Sequence, residues 1–367
     1  MHRRNVVAAA LAAPLLIALS AAGQAAGHRI SGPVVHENLA IYFVHGPSVA
    51  GRVPLTLGEA LAEGAVKVHE TGNVNELTIE NLGSLEVFVH SGDIVKGGQQ
   101  DRVLTISMLL PPNSGRVPIA AFCVEQGRWS PRGREDVRTF SSASAMLPSR
   151  DAKIAMNAPP TASPTGSMLN YTASAQANVP PGGARELAAA QADTMGSRQQ
   201  QMWRAVQATQ SKVGDRLGAS VAAPQSATSL QLSLEHEKLK AAQVAYLKAL
   251  QAAGEKDDDI VGYVFAINGK INSAEIYPSN GLFRKLWMKL LSANATEAIG
   301  ERKAAADAAP GVEAVRAFLD GAERGKTSER PLPMKAKMEL RDAEKSLYVE
   351  SRRADGGWLH RSYLAKQ

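Results

Sequence analysis

Between residues 30 and 147 the chain changes character every few positions, and that rhythm limits what it can fold into. Residues 39–45, 65–69, 76–80, 85–90, 103–110 and 116–125 are short runs rich in Val, Ile, Leu and Phe, separated by Gly, Asn, Asp and Pro. Runs of that length between turn residues make strands joined by short connections. One helix is expected among them, over residues 57–63. Thr56 and Glu59 stand at capping-box spacing before it, and Gly64 is its stop. Its apolar face (Leu57, Ala60, Leu61) should lie on the sheet.

The later chain reads differently. Met195, Met202, Val206 and Val213 recur at helical spacing with Trp203 beside them, and Leu239, Ala242, Tyr246 and Leu250 do the same. Residues 260–267 and 270–277 flank Asn268-Gly269, the strongest two-residue hairpin signal. Leu282, Phe283, Leu286, Trp287, Leu290 and Leu291 then give a helix face, with Lys285 and Lys289 on its other side. A helix over 312–322 and strands near 335–340, 346–352 and 358–364 complete the reading. Stripes of Met and Trp at helical spacing belong to a core.

Two stretches lack such patterning. Residues 141–183 turn to Ser, Ala, Pro, Thr and Gly, with too few large apolar side chains to repay the entropy of ordering the backbone. Residues 219–229 resemble a shorter stretch of the same kind.

At the other extreme, His2, Arg3 and Arg4 precede an apolar Ala/Leu run over 6–20, and small residues follow through Ala26. That is the pattern of a secretory signal peptide, with cleavage expected after Ala25. The run is shorter than the roughly 20 residues of a spanning helix, which argues against a retained anchor. No later stretch reaches that length, so the expected product is exported, periplasmic or secreted, and of bacterial type. The formal charge of +6 is small for 367 residues, and Lys and Arg are not interleaved with aromatics, so no nucleic-acid partner is expected. A single cysteine excludes a disulfide scaffold.

Two motifs could carry chemistry. The first runs from Ser91 to Arg102 and contains Gly97, Gly98, Gln100, Asp101 and Arg102. Paired glycines permit left-handed backbone and the close approach of a ligand. The carboxylate, amides and guanidinium supply acceptors, donors and a planar fork. Equally, this is a long hairpin loop that satisfies its own backbone. The second is Cys123-Val124-Glu125-Gln126-Gly127-Arg128-Trp129. Strand alternation puts Ile119, Ala121, Cys123 and Glu125 on one face. A partly desolvated Glu125 would titrate high unless paired and could act as acid or base, and Arg128 is its obvious partner. Cys123, with no histidine placed beside it, reads as inert core.

Other candidates fail. Residues 321–327 fall one residue short of a phosphate-binding loop, and Asp257 to Asp259 miss the calcium-loop pattern. His36, His45, His69, His90, His236 and His360 show neither paired helical spacing nor a cysteine companion, so no metal and no cofactor is expected.

The run Gly-Gly-Gln-Gln-Asp-Arg ending at Arg102, with the run from Cys123 to Trp129, resembles the ARG and Rhodanese-Phosphatase-superfamily-Associated Protein (ARPP) domain family. Gly262-Tyr263-Val264, Ala266 to Lys270, Ala274 to Tyr277, Leu282-Phe283 and Trp287 resemble it too, so the likeness spans about Gly32 to Leu291. The resemblance implies one folded unit. Residues 1–25 are then the signal peptide, 26–140 the β-rich half and 141–183 a disordered insertion. Residues 184–300 are the helical and hairpin half of the same domain, and 301–367 a C-terminal helix and strands. The expected class is α+β, an antiparallel β-sandwich-like core with packed helices.

The family name records an association and assigns no catalytic role. Two functions remain open. One is a module that binds a small molecule or an envelope protein through a polar cleft of Gly97, Gly98, Gln100, Asp101, Arg102, Glu125, Arg128 and Trp129. Arg102 or Arg128 would hold an anionic group there, and Trp129 would form a wall. The other is a hydrolase or transferase acting on nucleotide- or ADP-ribose-like compounds, with Glu125 or Asp101 as general acid or base. The missing nucleophile–base pair favours binding.

Overall fold

The computed structural model describes residues 28–133, 135–157, 183–305 and 307–366. The expected signal peptide and residues 158–182 of the expected insertion lie outside the described residues.

In chain order, β1 (Arg29–His36) and β2 (Leu39–His45) form a hairpin, and β3 (Leu55–Thr56) runs into α1 (Leu57–Ala62). Then come β4 (Val66–Glu70), β5 (Glu76–Asn81), β6 (Val87–Val89), β7 (Asp93–Gly97), β8 (Arg102–Leu104), β9 (Met108–Leu110), β10 (Gly115–Cys123) and β11 (Phe140–Met146). Helices follow: α2 (Arg150–Asn157), α3 (Gly183–Leu217), α4 (Leu230–Leu234) and α5 (Glu237–Glu255). The hairpin β12 (Ile260–Ile267) and β13 (Lys270–Ile276) leads to α6 (Asn280–Glu301) and α7 (Val312–Ala322). The chain ends in β14 (Lys326–Pro331), β15 (Lys337–Asp342), β16 (Ser346–Arg352) and β17 (Trp358–Ala365). The class is mixed α and β with extensive antiparallel sheets.

The sheet order explains why the two halves are one unit. The largest sheet runs β1-β2-β12-β13-β17-β16-β15-β14, so the N-terminal hairpin hydrogen-bonds directly to the later Asn-Gly hairpin. The expected C-terminal segment is continuous with both, since β13 pairs with β17. Two smaller sheets, β11-β7-β8-β10-β5-β4 and β3-β6-β9, hold the rest of the β-rich region. Met338, Leu340, Leu347, Val349 and Leu364 of the large sheet share one apolar cluster with Val68, Ile79, Val89, Leu104 and Ile119 of the smaller ones.

Strand β12 is buried at every position. Tyr263 and Phe265 join Trp287, Leu290 and Tyr246 of the helices, while Val264 and Ala266 join Val315 and Leu319 of α7 on the other face. A strand covered on both faces loses its alternation and reads as a continuous apolar run. The turn at Asn268 (φ 49°) and Gly269 (φ 76°) has the two left-handed residues that an Asn-Gly hairpin requires. The capping box on α1 is present as expected, Thr56 accepting from Glu59 N and Glu59 from Thr56 N. Among the described residues no helix is long and apolar enough to cross a membrane.

Three expectations need correction. Residues 141–157 are not part of a disordered insertion. They form most of β11 and all of α2, burying Ala143, Met146, Leu147, Ala152 and Met156. Small side chains there permit close packing where bulk was expected to be needed. Residues 91–102 are not one loop, because β7 occupies 93–97 and pairs with both β8 and β11. The run 103–110 is two strands in two sheets, divided at Thr105-Ile106-Ser107. Edge strand β14 was not anticipated. Lys285 and Lys289 of α6 reach Glu59 of α1 at 3.0 Å and Asp93 of β7 at 2.6 Å, tying α6 to the β-rich region.

Trp287 centres the helical core, edge-on to Phe43 and Tyr263 at 5.6 and 5.5 Å, its indole nitrogen donating to Gln251 O. A Cβ on Gly254 of α5 would come within 2.3 Å of that indole. Helix propensity alone favours Ala over Gly by about 1 kcal/mol. We expect packing to reverse the sign, with Gly254→Ala lowering the unfolding free energy by about 1–3 kcal/mol in urea titrations.

Candidate functional site

The two sequence motifs meet because β8 lies beside β10. Cys123 of β10 pairs with Arg102 of β8, and just beyond them Val124 N donates to Asp101 O. The turn before β8 is held open by Gly97 (φ 119°) and Gly98 (φ 54°). Their missing side chains make room for the protein itself. A Cβ on Gly97 would sit 2.9 Å from Thr139 O, and one on Gly98 would sit 2.3 Å from the Phe140 ring. The glycines therefore admit the segment leading into β11 where a ligand was expected.

Asp101 and Glu125 are fully buried and adjacent, and Asp101 N donates to Glu125 Oε2 at 3.1 Å. Two charges of one sign in such a place require fixed donors. Arg128 reaches Glu125 Oε2 at 2.7 Å, as the spacing suggested. Arg132 supplies the rest: it grips Asp101 with two nitrogens at 2.9 and 3.2 Å and lies 3.4 Å from Glu125 Oε1. Ser229 Oγ donates to Asp101 Oδ2, and Gly97 N to Asp101 Oδ1. Glu135 holds the far side of Arg132 at 2.8 Å.

Burial raises the Asp101 pKa above the ordinary 3.8, against the bonds from Arg132 and with help from the Glu125 charge. Burial acts on Glu125 in the same sense, but Arg128 and its other donors outweigh it and hold Glu125 below 4.5. The pair is thus split, with Glu125 the more firmly ionised.

The other expected residues divide. Gln100 donates to Glu125 O, and Arg102, wholly buried, donates to Gln100 O at 2.9 Å. Burial lowers the Arg102 pKa, opposed by the nearby Cys123 and Glu70. Arg102 cannot reach an anion at the surface. Trp129 is 49% exposed and lies over the Arg102 guanidinium with 5.7 Å to the ring centroid. Cys123 is buried with its thiol bonded to Glu125 O, and burial pushes its pKa up, as befits inert core.

Arg132, Ser229, Glu70 and Gln199 were not anticipated. Gln199 of α3 brackets Cys123, accepting from its N–H and donating to its carbonyl. Only a second arginine four positions beyond Arg128, in a Pro/Gly turn, was available as a signal.

Above the cluster lies an open hollow of about 790 Å³, lined by Gln126 to Arg128, Ser130 to Gly133, Gln225 to Thr228 and Leu232. Of the residues named from sequence, Arg128 alone lines it. Gly97, Gly98, Gln100, Asp101, Arg102 and Glu125 lie beneath, and Trp129 stands outside it. Among the described residues, two groups could each offer three metal-ligating atoms: His90, Glu275 and His360, and His45, Asp257 and Asp259. Neither shares a residue with this cluster.

Replacing Arg132 by Met strands the carboxylates, and we expect a loss of about 3–5 kcal/mol at neutral pH. The loss of Arg132 would raise the native pKa of Asp101 further. A group with a raised native pKa takes up its proton first in the folded state. The deficit of the variant against the wild type should therefore shrink as pH falls from the variant's native pKa to the wild type's, which itself lies above 3.8, read from urea midpoints across pH.

No curated protein and no solved structure is detectably similar to the chain. The sequence profile of the ARG and Rhodanese-Phosphatase-superfamily-associated Protein domain matches residues 27–364, further at the C-terminal end than the motifs alone suggested, and among the described residues runs from β1 into β17. With nearly its whole length matched, the chain belongs to that ARPP domain family.

Proposed function

We propose that the protein is an exported binding module. Its site is the hollow between residues 126–133 and 225–228, and its ligand is a small polar molecule. One observation carries this reading: the four carboxylate oxygens of Asp101 and Glu125 are already taken by Arg128, Arg132, Ser229 and backbone donors. Groups so committed serve poorly as acid or base. They serve well as a rigid floor for the loop that carries Arg128 and Arg132. Hydroxyl and amide groups of Gln126, Ser130, Gln225, Ser226 and Thr228 line the hollow and suit a hydroxyl-bearing ligand.

A hydrolase or transferase is the second reading. The opposite pKa shifts of Asp101 and Glu125 favour it, since split carboxylates are how acid–base pairs are made.

Ligand-observed NMR with nucleotides, nucleotide sugars and ADP-ribose derivatives separates them. Binding predicts line broadening without turnover, weakened at least about tenfold by Ala227→Trp, which fills the hollow, with the urea midpoint unchanged. Turnover lost in Glu125→Gln would establish the enzyme instead. A panel that neither binds nor reacts rejects the nucleotide class and leaves an envelope protein as the partner to test.

A further inference from the structure

A second polar centre is sealed between the large sheet and the small ones. Glu275 of β13 and His360 of β17 face His90, which follows β6, and the three are 1%, 4% and 1% exposed. Their three ligating atoms all lie within 4.8 Å of one another. Beside Glu275 and His360 is a cavity of about 20 Å³, large enough for one water-sized occupant. Sequence spacing could not reveal this group, because its members lie far apart along the chain and only the sheets bring them together.

Each member is oriented by another contact. His90 Nδ1 is bonded to Ser91 O at 2.5 Å, so that nitrogen carries the hydrogen and Nε2 keeps its lone pair. His360 Nδ1 is bonded to Ser107 Oγ at 2.9 Å, leaving Nε2 2.9 Å from Glu275 Oε2. A ring nitrogen and a carboxylate oxygen so close need a proton or a cation between them. Lys153 Nζ occupies the other oxygen, Oε1, at 2.9 Å. Tyr277 OH lies 2.8 Å from His90 Nε2, donates to that lone pair, and is a fourth potential ligand beside the group. Two imidazoles and a carboxylate, each held from behind by a carbonyl, a hydroxyl or an ammonium, have the donor set and the outer contacts of a zinc-class centre.

We propose that His90, Glu275 and His360 form a closed site for one divalent transition-metal ion of the zinc class, joining the large sheet to the smaller ones. The site is enclosed, so its role is structural, and its metal stabilises the fold. Lys153 is the competing cation. It neutralises Glu275 when the metal is absent and repels the ion when it is present.

The test uses protein stripped with chelator and titrated with Zn²⁺ by calorimetry, with thermal unfolding followed alongside. The site predicts about one equivalent bound and a raised melting temperature. His360→Asn and His90→Gln should each weaken binding at least about 100-fold. Lys153→Met should tighten it, an effect that a purely structural hydrogen-bond network would not give. Asp259→Asn, in the exposed His45 group, should change nothing. Should the histidine variants fail to fold, Co²⁺ on the unaltered protein reports instead, through the visible bands of a four-coordinate N/O site. Absence of binding, or binding that survives His360→Asn and disappears in Asp259→Asn, overturns the proposal: the first leaves a proton between His360 and Glu275, the second an adventitious surface ion.

Discussion

Two carboxylates removed from water at the same point set the terms for the region around them. Each would cost several kcal/mol if left alone, and their mutual repulsion adds to that. Asp101 is fixed by the turn into β8 and Glu125 by the end of β10, so neither can retreat. The chain must therefore bring guanidinium groups to them, and it does so by folding residues 126–133 back over the strand ends. Ser229 is drawn in as well, capping α4 with one lone pair of its hydroxyl while donating to Asp101. The stretch 219–229, which composition reads as a linker, is thereby pinned at its last residue by a charge, while Val221 anchors it in the core.

What the sequence made legible follows from how local each signal is. The Thr56/Glu59 box, the Asn268-Gly269 turn and the apolar face of α6 are written within a few residues, and each stands where pattern placed it. The Glu125–Arg128 pair is equally local. By contrast, β7 and β11 are strands because they pair with each other across 40 or more residues, and their own residues include Lys96, Ser141 and Ser142. Arg132 matters because of Asp101, and Gln199 because of Cys123, partners that no spacing rule connects. The glycines show the same limit. Their left-handed angles were foreseeable, but whether the vacated space would hold a ligand or Phe140 depended on a strand that composition concealed.

His90, Glu275 and His360 are an extreme case of that non-locality. The rules that find metal sites in sequence depend on ligands sharing a helix or a knuckle. A site assembled from two strands of one sheet and the loop after a strand of another has no such spacing, and each residue alone looks like an ordinary polar group.

The two polar centres also differ in what they leave unfilled. In the carboxylate–arginine cluster, the carboxylates are paired with guanidinium groups within the protein, and the loop surface above is open. On the proposed binding reading, function there is exerted outward, by the loop. In the histidine centre the protein supplies three convergent ligating atoms and a cavity beside them, with Lys153 on one oxygen of Glu275, His360 on the other and Tyr277 on His90. On the proposed metal site, function there is exerted inward, on the joint between sheets. That joint is also where Phe88 packs edge-on to both His90 and His360, so whatever occupies the centre bears directly on the apolar contact beside it.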